Sequence, residues 1–512
     1  MPVPPEIRAV PRPKNTIVED RGRDGPKRFA VRERGAIKWI PGKNPQPHNG
    51  KVIGHIINGA FVALANKPNN QSPIPDMLSY GSAALIKAVS ADLLRDLLQV
   101  YDPAVAYTIM SIAAIKVIRP GTTAERMPIL YNRTFISIFY PGIALSPNAI
   151  GRLYSDLGSD WLRRKGFYQR RISSTAEDHH ILIAGILKQE ASEANDLSSY
   201  SHKEAKNRSP KDRYLVYAFN LERMEPLCAE IFPGTCIDPF SYASLIRDND
   251  IKAGVIIADS GFQCGSVKDG LPNRLSPHYL RRVKGNDPRI ANNEMLSLQG
   301  VLEHPAGKFH YSKKQISADH FLYAFRDAEL AVQKKATRLT GAEKSADSDN
   351  DNNNENDSQK GENANLVIFE SDFDLDPLTV YQGYWKKRLL ELIFQEYKSD
   401  ECRYFANDKD DSSATGAAFV NFIAATITAR IVKLFEDSGL LKNQSYADVM
   451  DDLSSAWRKR SAPLALPQTQ DEFWVHTDEV VFDVLAKLDL CTPRPKEEVS
   501  PKRRGRPPEK EA

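Results

Sequence analysis

Short apolar runs separated by polar, turn-rich stretches mark most of the predicted strands of this chain. The runs at 181–187, 214–221 and 254–261 have the length of buried strands, and a helical pattern at 238–249 precedes the third. Buried strands interleaved with a helix need cover on both faces of their sheet. The pattern therefore predicts an α/β fold. Further strands are predicted at 279–284, 308–312, 321–325 and 365–371.

Helical periodicity dominates residues 77–172, which follow a set of short alternating strands ending near residue 70. Within this part, 144–158 has Ser146 as an N-cap and Pro147 at the first helical position. This segment is either part of a helix-turn-helix or an ordinary packing helix, because three apolar residues at helical spacing fit both. Three more helices are predicted at 377–398, 415–437 and 445–459.

These patterns divide the chain into consecutive segments. At 512 residues the chain is too long for one core. The acidic, Asn-rich tract SADSDNDNNNENDSQKGEN (345–363) buries too little apolar area to order itself. The predicted segments are a disordered basic arm (1–26), a β unit (27–72), a helical region (73–177), a core in two parts (178–266 and 366–440), an insertion (267–340), a disordered acidic linker (341–365), C-terminal helices (441–490) and a basic tail (491–512).

Composition is that of an ordinary soluble protein, with 41% hydrophobic and 26% charged residues. The apolar stretch 417–432 is too short for a membrane span, so no membrane partner is expected. Five cysteines without CxxC pairs indicate free thiols in a reducing cytoplasm. The net charge of +3 conceals basic ends and one acidic spacer.

The helix predicted over 384–398 carries the most informative polar pattern. At about 100° per residue, its polar side chains fall within one arc of about 60°, and its apolar residues occupy the opposite side. The polar set is Tyr384, Lys387, Glu391 and Lys398. A solvated amphipathic face is the ordinary explanation of such a pattern.

A second carboxylate changes the balance, because Asp259 ends the apolar run of VIIADSGF (255–262). A buried carboxylate is costly unless a partner offsets the cost. Together with Glu391, it suggests a Mg²⁺ site at which neighbouring cations and a tyrosine hydroxyl hold a phosphodiester. Two metal ions at such a site would activate the attacking oxygen and stabilise the leaving oxygen.

The spacing Tyr384-x2-Lys387-x3-Glu391-x6-Lys398 resembles the Tyr-x2-Arg-x3-Glu-x6-Lys signature of bacterial insertion-sequence transposases of the DDE type. ADSGF (258–262) resembles the second-aspartate motif of that family, and CAEIFPGTCID (228–238) resembles the stretch shortly before it. NRSPKDRYLVYAF (207–219) resembles the approach to the second core strand. The likeness covers about residues 180–440.

The resemblance implies a ribonuclease H-like catalytic core with a mixed insertion, preceded by a small β unit and a helical DNA-binding region. It makes Asp259 and Glu391 the second and third carboxylates, which hold Mg²⁺ or Mn²⁺, and it makes Tyr384, Lys387 and Lys398 contacts of DNA phosphates. The implied activity is cleavage and joining of double-stranded DNA at transposon ends and in target DNA. The enzyme would act as a homodimer in a bacterial cytoplasm, associated with the nucleoid.

Three departures from the family pattern stand out. Lys387 replaces the usual Arg and loses its bidentate geometry, and Ser260 replaces a basic residue. In HHILIAGILKQE (179–190), Ala184 occupies the position of the first catalytic Asp. Asp178 and Glu190 are each about 20 Å away along an extended strand. Strand transfer is therefore expected to be impaired, and the alternative is a catalytically inactive, DNA-binding descendant of a transposase.

The last twelve residues contain KRRGRPPEK (502–510), which resembles an AT-hook. In such a hook Arg504 and Arg506 would enter a narrow A·T-rich minor groove, and Gly505 would permit close approach. The ordinary alternative is a generic basic tail.

Overall fold

The chain forms two compact units, Met1–Ile74 and Pro75–Ala512. A computed structural model of the protein describes residues 3–22, 25, 28–38, 46–63, 76–188, 213–233, 239–252, 254–258, 267, 271–272, 275, 277–284, 287–304, 307–326, 366–397 and 411–492.

The first unit is a four-stranded antiparallel sheet with a short helix, α1 (Pro5–Arg8), before it. Its strands, in spatial order, are β1 (Thr16–Asp20), β2 (Phe29–Lys38), β3 (Gln46–Ile57) and β4 (Ala60–Ala63). The β3–β4 hairpin turns at Asn58 and Gly59, both of which have positive φ, as a tight hairpin with a right-handed twist requires.

Strand β1 corrects the expectation that residues 1–26 form a disordered arm. It pairs with β2 from Thr16↔Glu33 to Asp20↔Phe29. Cross-strand ion pairs join Arg28 to Asp20 and Arg32 to Glu19. The local proline and charge content suggested disorder, but the ladder and the pairing with basic residues of the next strand order this segment.

Seven helices fill residues 81–173 of the second unit and confirm the predicted helical region. They are α2 (Gly81–Val89), α3 (Ala91–Leu98), α4 (Pro103–Ile118), α5 (Met127–Arg133), α6 (Ile136–Phe139), α7 (Pro147–Ser159) and α8 (Trp161–Ser173). At the start of α7 the Ser146 side chain accepts a hydrogen bond from the Ala149 amide, so the predicted cap is confirmed. Only the single residue Asp160 separates α7 from α8.

A nine-stranded mixed sheet forms the centre of the second unit, in the order β11-β12-β13-β14-β10-β9-β6-β7-β8. Strands β6, β7 and β8 are antiparallel neighbours, whereas β9 runs parallel to β6 and β10 parallel to β9. The other four neighbouring pairs are antiparallel: β10 with β14, β14 with β13, β13 with β12, and β12 with β11. The strands are β6 (Ile181–Lys188), β7 (Arg213–Asn220), β8 (Glu225–Pro233), β9 (Val255–Ala258), β10 (His278–Arg282), β11 (Gly300–His304), β12 (Gly307–Ser317), β13 (His320–Arg326) and β14 (Leu366–Ser371).

The predicted insertion at 267–340 begins too early. Strand β10 falls within it, yet β10 lies in the middle of the sheet between β9 and β14. Strands β11, β12 and β13 extend the same sheet and form no separate layer. The described part of 267–340 also contains a short helix, α10 (Pro288–Asn292), and the helix α9 (Pro239–Asp248) connects β8 to β9.

The C-terminal part combines long helices with a small second sheet. Its helices are α11 (Pro377–Glu396), α12 (Asp411–Asp437), α13 (Tyr446–Ser454) and α14 (Glu479–Lys487), with a 3-10 turn at Leu440–Lys442. Strands β15 (Trp457–Lys459) and β16 (Trp474–Val475) join β5 (Met77–Ser79) in a three-stranded sheet. The helix predicted over 445–459 therefore ends earlier, because its last residues pair with β5.

Helix α12 packs against α7, α4, α11 and β8 and is the central helix of the second unit. A Cβ atom at Gly158 of α7 would overlap the Ser412 carbonyl, and one at Gly416 of α12 would overlap the Tyr154 carbonyl. The two backbones can meet only because both positions are glycine. This contact favours the packing-helix interpretation of α7.

Within the described part of the chain, Ser412–Asp437 is the one helix long and apolar enough to cross a membrane. Of its most apolar window, 78% is buried inside the protein. A buried core helix passes the same test of length and composition.

Candidate catalytic centre

Helix α11 crosses the central strands of the large sheet and carries the signature residues. It begins at Pro377, and the Asp376 side chain caps it by accepting a hydrogen bond from the Leu378 amide. A Cβ atom at Gly383 would lie 3.1 Å from Leu182 Cδ1 and 3.4 Å from Ile257 Cδ1. The helix therefore passes directly over β6 and β9.

The predicted polar arc of α11 is buried. Tyr384 and Lys387 are each 5% exposed, and Glu391 is 8% exposed. The Tyr384 ring lies 5.1 Å from the ring of Phe369 on β14. The solvated-face explanation is wrong for these three residues, which the structure brings together on one side of the helix. Lys398, the fourth member of the arc, lies outside the described residues.

Both carboxylate oxygens of Glu391 are engaged in ion pairs. Lys387 Nζ lies 3.1 Å from Glu391 Oε1, and Arg388 Nη1 lies 3.0 Å from Oε2. Sequence reasoning did not single out Arg388, although its spacing of three residues from Glu391 is the signal that could have found it. Because a buried carboxylate needs compensating charge, these two ion pairs offset part of the cost of burying Glu391 and fix the position of its side chain.

Position 184 faces the helix that carries Glu391. Ala184 is fully buried on β6 and lies opposite Tyr217 on β7, whose hydroxyl donates to the Lys387 carbonyl at 3.4 Å. Leu182 contacts α11 and lies two residues before Ala184, so both point to the same face of the sheet. The first acid of the family pattern would belong on this face, but the residue there is an apolar methyl group.

Asp259 and Ser260 lie outside the described residues, directly after the last residue of β9. Among the residues that the structure describes, no group of three or more His, Cys, Asp or Glu side chains could hold a metal ion. At this site they supply one carboxylate, whose two oxygens are already paired with cations. The described residues therefore do not fit Mg²⁺ or Mn²⁺. The tail residues Arg504, Gly505 and Arg506 also lie outside the described part of the chain.

A second buried carboxylate, Glu370 on β14, faces the other side of the sheet. Its neighbour Phe369 contacts Tyr384, and successive side chains of a strand point to opposite faces. Glu370 pairs with Arg281 at 2.6 Å and with Arg289 at 3.1 Å. Burial raises the pKa of Glu370, but hydrogen bonds from the two arginines outweigh it and leave the pKa below its usual value. Glu370 is thus a charge-paired group away from the α11 face.

Sequence comparison gives no further information on the function of this chain. No protein-family model and no curated protein matches this chain. We therefore infer a function from the residues of this chain and their geometry.

Proposed function

We propose that this protein is a DNA-binding protein of the DDE transposase type whose strand cleavage and joining are impaired. The observation that carries the proposal is the order and direction of five strands, β8-β7-β6-β9-β10. A ribonuclease H-like core has three antiparallel strands, followed by two strands parallel to the first and placed on its other side. The order and direction of these five strands support the proposal, and α11 carries Glu391 across β6 and β9.

The partner in this proposal is double-stranded DNA at transposon ends and in target DNA, bound by a homodimer. Glu391 corresponds to the third carboxylate of the family and Asp259 to the second. A divalent ion supplies the charge that stabilises the attacking and leaving oxygens in such enzymes. Because Ala184 replaces the first ligand and both oxygens of Glu391 are held by Lys387 and Arg388, we expect hydrolysis by this chain to be impaired.

The test restores the missing ligand. Wild type, Ala184→Asp and Ala184→Asn are compared for Mg²⁺-dependent nicking of a duplex that carries the DNA flanking the coding sequence. We expect no nicking by wild type or by the Asn variant, which has nearly the same shape but lacks the charge, and a gain of nicking with Asp. Circular dichroism and duplex binding verify that each variant folds, because position 184 is fully buried.

The outcomes separate the alternatives. Robust nicking by wild type would contradict the impairment, and failure of wild type to bind any duplex would contradict the transposase-type assignment. If the Ala184→Asp variant folds and binds DNA but does not nick it, the protein is a binding module only. The paired state of both Glu391 oxygens favours this second candidate.

A further inference from the structure

Helix α8 concentrates positive charge in a chain that is otherwise nearly balanced. Its sequence WLRRKGFYQRRIS contains five Lys or Arg residues and no Asp or Glu, whereas the whole chain has 69 basic and 66 acidic residues. Two of the five face the interior. Arg164 donates to the carbonyls of Leu157 and Gly158, and Arg171 pairs with Glu225.

The other three cations lie outside the buried face of α8: Arg163 and Arg170 are exposed, and Lys165 is half-buried towards the other edge of the outer face. Seven residues separate Arg163 from Arg170, which places them about 10.5 Å apart along the axis and about 20° apart around it. The two residues between them at helical spacing are Gly166, which has no side chain, and Phe167, whose side chain is fully buried, so neither places an exposed side chain between the two guanidinium groups. Arg163 forms an ion pair with Asp160 at 3.4 Å and lies 5.9 Å from the centre of the Tyr101 ring, and its partly exposed ion pair is worth little. Among the described residues, Lys165 and Arg170 have no acidic partner.

Two large apolar side chains are exposed beside these cations. Leu162 is 72% exposed and Trp161 is 42% exposed, at the first turn of the helix. The Lys165 ammonium lies 4.7 Å from the centre of the Trp161 ring. Contact with water explains the cations on an exposed helix face, but it does not explain an exposed leucine and tryptophan beside them. Surfaces that bind DNA combine Lys and Arg contacts to phosphates with apolar contacts in a groove.

We infer that the outer face of α8 is a duplex-DNA contact surface. Arg163, Lys165 and Arg170 contact backbone phosphates, and Leu162 contacts the groove beside them. The inference rests on the proposed function in one respect, the assignment of DNA as the partner, and it names the surface within the helical region that meets the DNA.

The test measures binding of the full chain to a short mixed-sequence duplex by fluorescence anisotropy over a range of salt concentrations. We expect Arg163→Gln/Arg170→Gln to weaken binding roughly tenfold, because two phosphate contacts are lost. The slope of log affinity against log salt should fall in magnitude by about 1.8, at about 0.9 per contact. Leu162→Ser should weaken binding and leave the slope unchanged.

The matched control is Arg126→Gln/Arg133→Gln at α5. These two arginines are also exposed, also seven residues apart, and belong to the same helical region, so the change in net charge is identical. We expect this variant to bind as wild type does. An equal loss from both double variants would overturn the inference, because charge alone would then explain the binding.

Two further outcomes would also overturn it. Leu162→Ser could change the molecular mass in solution and leave DNA affinity unaltered, which would make the face a protein interface. Binding could be lost only with Arg504→Gln/Arg506→Gln in the tail, in which case the proposed function stands and this surface does not. Failure of wild type to bind duplex at all would instead contradict the proposed function.

Discussion

Replacing Lys387 with methionine removes the ammonium that meets Glu391 and keeps the length of the side chain. The pair is buried, with Lys387 5% exposed and Glu391 8% exposed, and its atoms are 3.1 Å apart. After the substitution, Glu391 Oε1 would remain in an apolar setting without this cation. The variant therefore reports how much the buried charge at the candidate centre depends on its partner.

The magnitude follows from burial and from the second cation. Removing one partner of a buried pair costs about 3–5 kcal/mol of unfolding free energy. Arg388 still holds the other oxygen of Glu391 at 3.0 Å, so the loss should fall just below this range, at about 2–3 kcal/mol. Arg388→Met should cost at most about 1 kcal/mol, because the Arg388 side chain is more exposed and its pair is better screened.

Urea unfolding monitored by circular dichroism measures both variants, and Lys387→Met/Glu391→Met completes the comparison. Because the double variant leaves no unpaired carboxylate, we expect it to recover most of the stability lost in Lys387→Met. The reasoning fails if Arg388→Met is the more destabilising single change. It also fails if the double variant is less stable than Lys387→Met alone.

Two other predictions concern stability away from the site. Gly416→Ala should lower the unfolding free energy by about 3 kcal/mol or more, because the new Cβ atom overlaps the Tyr154 carbonyl. Gly151→Ala, on the open side of α7, should instead raise the unfolding free energy by about 0.5–1 kcal/mol. The urea unfolding midpoints of the two variants check this contrast. Burial raises the pKa of Asp92, but hydrogen bonds from Arg430 outweigh it and bring the pKa to about 2. The stabilisation by Asp92 is therefore complete above the unfolded value of 3.8 and is lost as the pH falls towards 2. Between about pH 5 and about pH 3, Asp92→Asn should remove about 0.5–1 kcal/mol of this acid dependence, measured by urea unfolding at the two pH values.

Much of the large sheet could be predicted because its strands are short apolar runs bounded by polar residues. The local pattern does not predict β8 as a strand, since EPLCAEIFP has a proline near each end and Glu230 interrupts its apolar run. Its position is fixed by the hairpin with β7, which is a tertiary pairing that a local pattern does not contain. The central position of β10 was missed for the same reason.

The helical phase of Tyr384, Lys387 and Glu391 could be predicted, but their burial could not. A periodic pattern gives the angle of each side chain around the axis and says nothing about what covers that angle. Here α11 lies between the large sheet on one side and α12 on the other, and the face with Tyr384, Lys387 and Glu391 is buried. The ion pairs with Lys387 and Arg388 then replace the water that an exposed Glu391 would have had.

The central position of α12 also constrains the order in which the protein can fold during synthesis. The apolar surfaces of α4 and α7 pack against this helix, yet α12 ends only at Asp437. A chain released from the ribosome as far as β14 would still expose much of α4, which is buried from Ile109 to Val117 in the folded protein. The helical region must therefore wait for most of the polypeptide before its core closes, and premature termination anywhere before α12 would yield an aggregation-prone fragment.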